Sequence, residues 1–66
     1  MGISNLEQFY IKSSWVDHGN KWFLLEANDN VQSWIVNNVH SSHWGYASGR
    51  VIVDGQAMVD VALRWA

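Results

Sequence analysis

Two histidines at a metal-binding spacing, His40 and His43, are the first residues in this sequence that could do chemistry. On one turn of a helix, an H-x-x-H pair directs both rings to the same side, where they could bind zinc. The small and polar residues around them predict a loop instead, and Asp54, Asp60 or His18 would have to be brought in by the fold. We therefore predict no metal site and no bound cofactor.

Nucleophilic catalysis is not indicated either. Ser48 lies between two glycines, but it comes one position too late for the G-x-S-x-G elbow of hydrolases. Cysteine is absent, which excludes a thiol nucleophile, and the six acidic residues are scattered rather than paired. A chain of 66 residues is also too short for the large enzyme folds. We predict that the protein is not an enzyme.

Charge and hydropathy argue against nucleic-acid and membrane partners. Four basic residues and a net charge of −2 supply few groups that could neutralise phosphates. The longest apolar runs are about four residues, whereas a membrane span needs ~20. The chain does not begin with the basic start and apolar run of a signal peptide. The expected location is the cytoplasm.

The size and composition predict one folded domain over residues 1–66, because 48% of the residues are apolar and only 15% are charged. A domain this small buries about 60% of its unfolded surface and is marginally stable alone. Without cysteine, disulfides cannot stabilise it, and oligomerisation is one of the remaining ways to do so. Five tryptophans supply large rings for a core or an interface.

The elements that must position these residues begin with a hairpin. Segments 9–16 and 22–27 are rich in strand-favouring residues and flank a turn cluster, and a capping box at 4–7 predicts a short helical turn before them. Asn28-Asp29-Asn30 can cap a helix over 31–39. Because apolar residues also alternate in 31–39, a third strand is the alternative.

The register of the first hairpin follows from the length of its loop. A three-residue loop would place Trp15 opposite Phe23 and Lys12 opposite Glu26, with one apolar face and an opposite-charge pair. A two-residue loop would instead pair Trp15 with Trp22. We predict the three-residue loop.

The second half of the chain begins with residues 40–49, which show no periodicity and are predicted to form a loop. After it, Asp54-Gly55 lies between two apolar runs and predicts a second hairpin with strands at 50–53 and 57–65. The last strand would bury every second residue, Val59, Val61 and Leu63 among them.

The predicted fold class is α+β, in the order β-β-α-β-β, with two antiparallel hairpins packed on one helix. An all-β small barrel or sandwich, with 31–39 as a strand, is the alternative. The predicted core comprises Phe9, Ile11, Trp15, Phe23, Leu25, Ile35, Val51, Val53, Val59, Val61 and Leu63.

One face of the first hairpin carries Tyr10, Trp22 and Leu24 and is too apolar for a solvated face. Protein interfaces are enriched in tryptophan and tyrosine and depleted of charge at their centre. We expect a non-catalytic protein-interaction module that forms a homo-oligomer or docks on another protein, for instance as a small inhibitor of a larger host protein.

Binding of a sugar or another small ligand is the alternative function. His43, Trp44 and Tyr46 lie close together in the predicted loop, and aromatic rings can stack on the apolar faces of sugars. These three residues complete the predicted binding set.

Overall fold

The computed structural model describes residues 8–65 and contains two successive strand–strand–helix units. The first unit comprises β1 (Phe9–Asp17), β2 (Asn20–Ala27) and α1 (Asp29–Asn38). A short 3-10 turn (Ser41–His43) leads to the second unit, which comprises β3 (Trp44–Ala47), β4 (Arg50–Asp54) and α2 (Gly55–Arg64). The predicted helical turn at 4–7 lies outside the described residues.

The four strands form one antiparallel sheet in the order β1-β2-β4-β3. The second strands of the two hairpins therefore pair at the centre, and the first strands lie at the edges. The predicted α+β class and the order β-β-α-β-β are confirmed, and α2 adds a second helix at the end of the described chain.

Helix α1 forms where the sequence predicts it. The side chain of Asn28 accepts a hydrogen bond of 3.0 Å from the amide of Val31, which satisfies one of the free amides at the start of the helix. Val31 and Ile35, one helical turn apart, are fully buried. Because 31–38 is helical, the all-β alternative is wrong.

Helix α2 replaces the predicted last strand, which is the largest error of the sequence prediction. Asp54 caps the helix, because its Oδ1 atom accepts a hydrogen bond of 2.9 Å from the amide of Ala57. Ala57 and Val61 are buried, as the helical period requires, whereas Val59 and Leu63 are exposed. Asp54-Gly55 is thus the cap and the first residue of a helix, and not a hairpin turn.

The second hairpin lies earlier in the chain than predicted. Trp44 pairs with Val53 and Tyr46 pairs with Val51, so most of the predicted loop is the 3-10 turn and strand β3. A strand of four residues at a sheet edge is too short to show a clear period in the sequence.

The predicted register of the first hairpin is also wrong. His18 (φ 51°) and Gly19 (φ 81°) form a two-residue turn with two left-handed residues, whose twist suits a hairpin, and Trp15 therefore pairs with Trp22. Neither predicted pair, Trp15 with Phe23 or Lys12 with Glu26, forms. The register then shifts between Ile11 and Ser13, so Lys12 is the extra residue of a β-bulge.

The core lies between the two helices and one face of the sheet. Its fully buried residues are Leu25, Val31, Ile35, Val51, Val53, Ala57 and Val61. Five of these were predicted from the sequence: Leu25, Ile35, Val51, Val53 and Val61. Phe9 and Phe23 pack against this core while partly buried. The other four predicted core residues, Ile11, Trp15, Val59 and Leu63, are exposed.

Candidate functional site

The helices of the described chain pack on one face of the sheet only. Leu25 in β2 and Val51 and Val53 in β4 point toward them and are buried in the core. Since successive strand residues point to opposite faces, Leu24 and Ile52 lie on the other face, where they are direct cross-strand partners. No helix or strand within residues 8–65 covers this second face, which we call the open face.

The centre of the open face is apolar. It carries four large side chains from three adjacent strands: Trp15, Trp22, Leu24 and Ile52. Trp15 and Trp22 are direct cross-strand partners, and Trp15 is 37% exposed although it is one of the largest apolar side chains. The other three are half-buried because they shield one another across the strands. A contiguous exposed apolar patch of this kind is typical of association surfaces.

The border of the open face is polar and contains one cross-strand ion pair. Arg50 Nε donates a hydrogen bond of 2.7 Å to Glu26 Oε1, from β4 to β2. Tyr10 in β1 pairs with Glu26 and is 50% exposed. A surface ion pair of this exposure adds little to stability. Its main effect is that the charges of Glu26 and Arg50 neutralise each other at the border.

The six predicted site residues separate into two groups on opposite faces of the sheet. Tyr10, Trp22 and Leu24 lie together on the open face. The other three lie on the helix side or in the turn before β3: His43, Trp44 and Tyr46. Trp44 packs against the core, and Tyr46 is 62% exposed.

Sequence reasoning missed two members of the open face, Trp15 and Ile52. Trp15 was assigned to the core face because the predicted loop was one residue too long. The left-handed turn at His18-Gly19 is the signal that could have placed it correctly.

His43 links the start of β3 to the start of α2. Its Nδ1 atom lies 2.5 Å from Oδ2 of Asp54, the residue that also caps α2 and is only 8% exposed. Burial alone would raise the pKa of Asp54. The hydrogen bond from the Ala57 amide, the hydrogen bond and charge of His43 and the amide of Gln56 together outweigh burial and hold that pKa below its ordinary value of 3.8.

The two histidines of the H-x-x-H pair each contact a different polar side chain, His40 that of Ser42 and His43 that of Asp54. The rings of His40 and His43 are 6.2 Å apart between centroids, and Nδ1 of His40 is 2.8 Å from the hydroxyl of Ser42. Among residues 8–65, no group of three or more histidine and acidic side chains is placed to hold a metal ion.

A separate groove lies on the helix side of the sheet, between β3 and α1. It encloses about 410 Å³ and is lined by Asp29, Gln32, Ser33, Val36, Asn37 and Tyr46. The ring of Tyr46 packs edge-to-face on Trp44, with 5.2 Å between the ring centroids. This contact braces an exposed aromatic ring beside hydrogen-bonding side chains.

Comparison with known proteins adds no relative to these observations. No family model, no curated protein and no solved structure matches the chain. In the described part of the chain, no helix has both the length and the apolar character needed to cross a membrane.

Proposed function

We propose that this protein is a non-catalytic protein-interaction module that self-associates through its open face. The observation that carries the proposal is the apolar centre of that face, formed by Trp15, Trp22, Leu24 and Ile52. Within residues 8–65 the helices cover the opposite face, so no described helix or strand lies above these side chains.

The energetics of a small domain support the same conclusion. Covering apolar surface stabilises a fold by about 25 cal/mol per Å², and a domain of this size has little internal surface to bury. Docking of a second copy would cover two tryptophan rings in each chain at once. Association therefore compensates for the small core, in a chain that has no cysteine for disulfides.

Leu24→Lys is expected to abolish self-association while the domain stays folded. The substitution places a charge at the centre of the open face, where it would be desolvated in the complex but remains solvated in the monomer. The solution mass, followed by light scattering behind size exclusion over a hundredfold range of concentration, should rise with concentration in the wild type and stay at the monomer value in the variant.

Leu63→Lys is the matched control, because it makes the same chemical change on the helix side. Leu63 is 72% exposed on α2, and this variant should associate as the wild type does. A wild-type chain that stays monomeric over the whole range would contradict self-association. Equal loss of assembly in both variants would show that the open face is not the surface involved.

Sugar binding in the Tyr46 groove is the second candidate function. We propose it because a strongly exposed ring stands beside a carboxylate, two amides and a hydroxyl, the groups that can hold sugar hydroxyls. Two amide nitrogens are already used, since Gln32 donates to Ala27 O at 2.8 Å and Asn37 donates to Ser33 O at 2.8 Å. Their oxygens, and the carboxylate of Asp29, are the groups left to accept from a sugar.

Tyr46→Ala should weaken binding of a glycan found on an array by about tenfold or more, because stacking on one ring contributes about 1–3 kcal/mol where it has been measured for bases. Titration by tryptophan fluorescence or calorimetry measures the change. Tyr10→Ala removes a comparably exposed tyrosine from the open face and serves as the control. An array without any binding would rule out this candidate.

A further inference from the structure

The open face carries large side chains on one side and small ones on the other. Trp15 and Trp22 are cross-strand partners in β1 and β2, and we call this pair of large rings the ridge. On the far side of the sheet, the edge strand β3 contributes only Gly45 and Ala47 to the same face, opposite Ile52 and Arg50 in β4. We call this low strip, from Gly45 to Ala47, the shelf.

The geometry at Gly45 confirms that the shelf is on the open face. A Cβ atom built on Gly45 would meet the side chain of Ile52, at 3.6 Å from Cγ1 and 3.7 Å from Cδ1. The backbone of β3 is therefore bare next to the apolar centre of the face. The large side chains of the ridge and the small residues of the shelf are complementary in size.

We propose that the occupant of the open face is a second copy, turned about a two-fold axis so that the Trp15–Trp22 ridge of each copy rests on the shelf of the other. This inference rests on the proposed self-association and specifies its arrangement. In a two-fold interface contacts are reciprocal, so if the ridge of one copy meets the shelf of the other, the second ridge also meets the first shelf. In this arrangement each ridge contacts a shelf, and neither shelf is left empty.

The charges of the border favour a second copy over a charged partner. Glu26 and Arg50 neutralise each other within one chain, at 2.7 Å between Nε and Oε1. Neither charge of this pair is left over to attract a strongly acidic or basic partner. A second copy brings the same neutral pair, so these two residues do not oppose its approach as an unpaired charge would.

The size of the face fits a weak, reversible dimer rather than a permanent one. With ~4.8 Å between strands and ~3.3 Å per residue, the four strands cover on the order of 400 Å² in projection. Tall side chains raise the accessible area above the projected area, toward the ~800 Å² per partner of a standard interface. We therefore expect a dimer that dissociates on dilution.

Gly45→Leu tests the arrangement, because it fills the shelf at a position where an added Cβ makes only ordinary contacts within the monomer. Gly45 is not among the described glycines with positive φ, and its surroundings leave room for a side chain. The dissociation constant of the dimer should rise by about tenfold or more. Gly45→Ala, whose methyl group makes an ordinary contact with Ile52, should change it by less than about threefold.

The dissociation constants are measured by analytical ultracentrifugation, and the fold of the diluted monomer by near-ultraviolet circular dichroism. If Gly45→Leu does not fold, Ala47→Leu places the same bulk on the shelf and should have the same effect. If the leucine variants fold and their dissociation constants equal that of the wild-type dimer, the arrangement is overturned but self-association is not. A wild-type monomer at all concentrations overturns both.

Discussion

Val61→Lys is expected to unfold the domain, whereas Val59→Lys leaves it folded. Val61 is fully buried between the sheet and the helices, and a lysine charge placed there without a partner costs several kcal/mol. A domain of 66 residues has on the order of 3–10 kcal/mol in total. Val59 is 58% exposed, so its replacement should change the free energy of unfolding by less than about 0.5 kcal/mol.

Circular dichroism and urea unfolding of the two variants measure this difference directly. The pair also separates helix from strand in this segment. In a strand, residues 59 and 61 point to the same face, and both variants would unfold. In helix α2 they point in different directions, and only Val61→Lys unfolds. Two equally damaged variants would contradict the helix.

The segment that forms α2 shows why its helix could not be predicted from the sequence. Its apolar residues at 57, 59, 61, 63 and 65 fit a period of two, and valine favours strands. The helical period needs only Ala57 and Val61, which the longer alternation conceals. The deciding interactions are the cap on Asp54 and the apolar sheet surface that the helix covers.

Elements with strong local signals were predicted correctly. Helix α1 is capped by Asn28, one of the three residues predicted as possible caps, and Ile35 is buried as predicted; Val31, one helical turn before it, is buried as well. The strands of the first hairpin were found from their composition. The same two features occur again at α2, where Asp54 is the cap, but there a hairpin interpretation of Asp-Gly competes with it.

The candidate site was predicted in part for a similar reason. Trp22 and Leu24 share the open face as expected, because alternation within one strand is a local property. Tyr10 in β1 joins them because the β-bulge at Lys12 offsets the one-residue change in the loop. The face that Trp15 occupies depends on the register of β1 and β2. A change of one residue in the loop moves its side chain to the other face. The β-bulge at Lys12 leaves no mark in the sequence that would reveal it.

Asp54→Ala is expected to lower the free energy of unfolding by roughly 2–5 kcal/mol, the largest loss for a residue outside the apolar core. Loss of a helix cap costs about 0.5–2 kcal/mol, and loss of a hydrogen bond to a charged group about 1.5–3 kcal/mol. The variant loses both at once, because one carboxylate accepts from the Ala57 amide and contacts His43. Urea unfolding at neutral pH measures the loss.

Asp54→Asn separates the cap from the charge and gives the prediction a pH dependence. Its amide oxygen can still accept from the Ala57 amide, so at neutral pH it should lose less than Asp54→Ala. The pKa of Asp54 in the folded protein lies below 3.8, so its carboxylate stabilises the fold above that pH and loses this effect as the pH falls through the folded pKa. The stability difference between wild type and Asp54→Asn should therefore close in acid, as the pH falls through the folded pKa of Asp54. The other carboxylates titrate in both proteins and cancel in the difference. A gap that persists unchanged to the most acidic pH at which both proteins fold would contradict a stabilising charge on Asp54 and leave only its role as a cap.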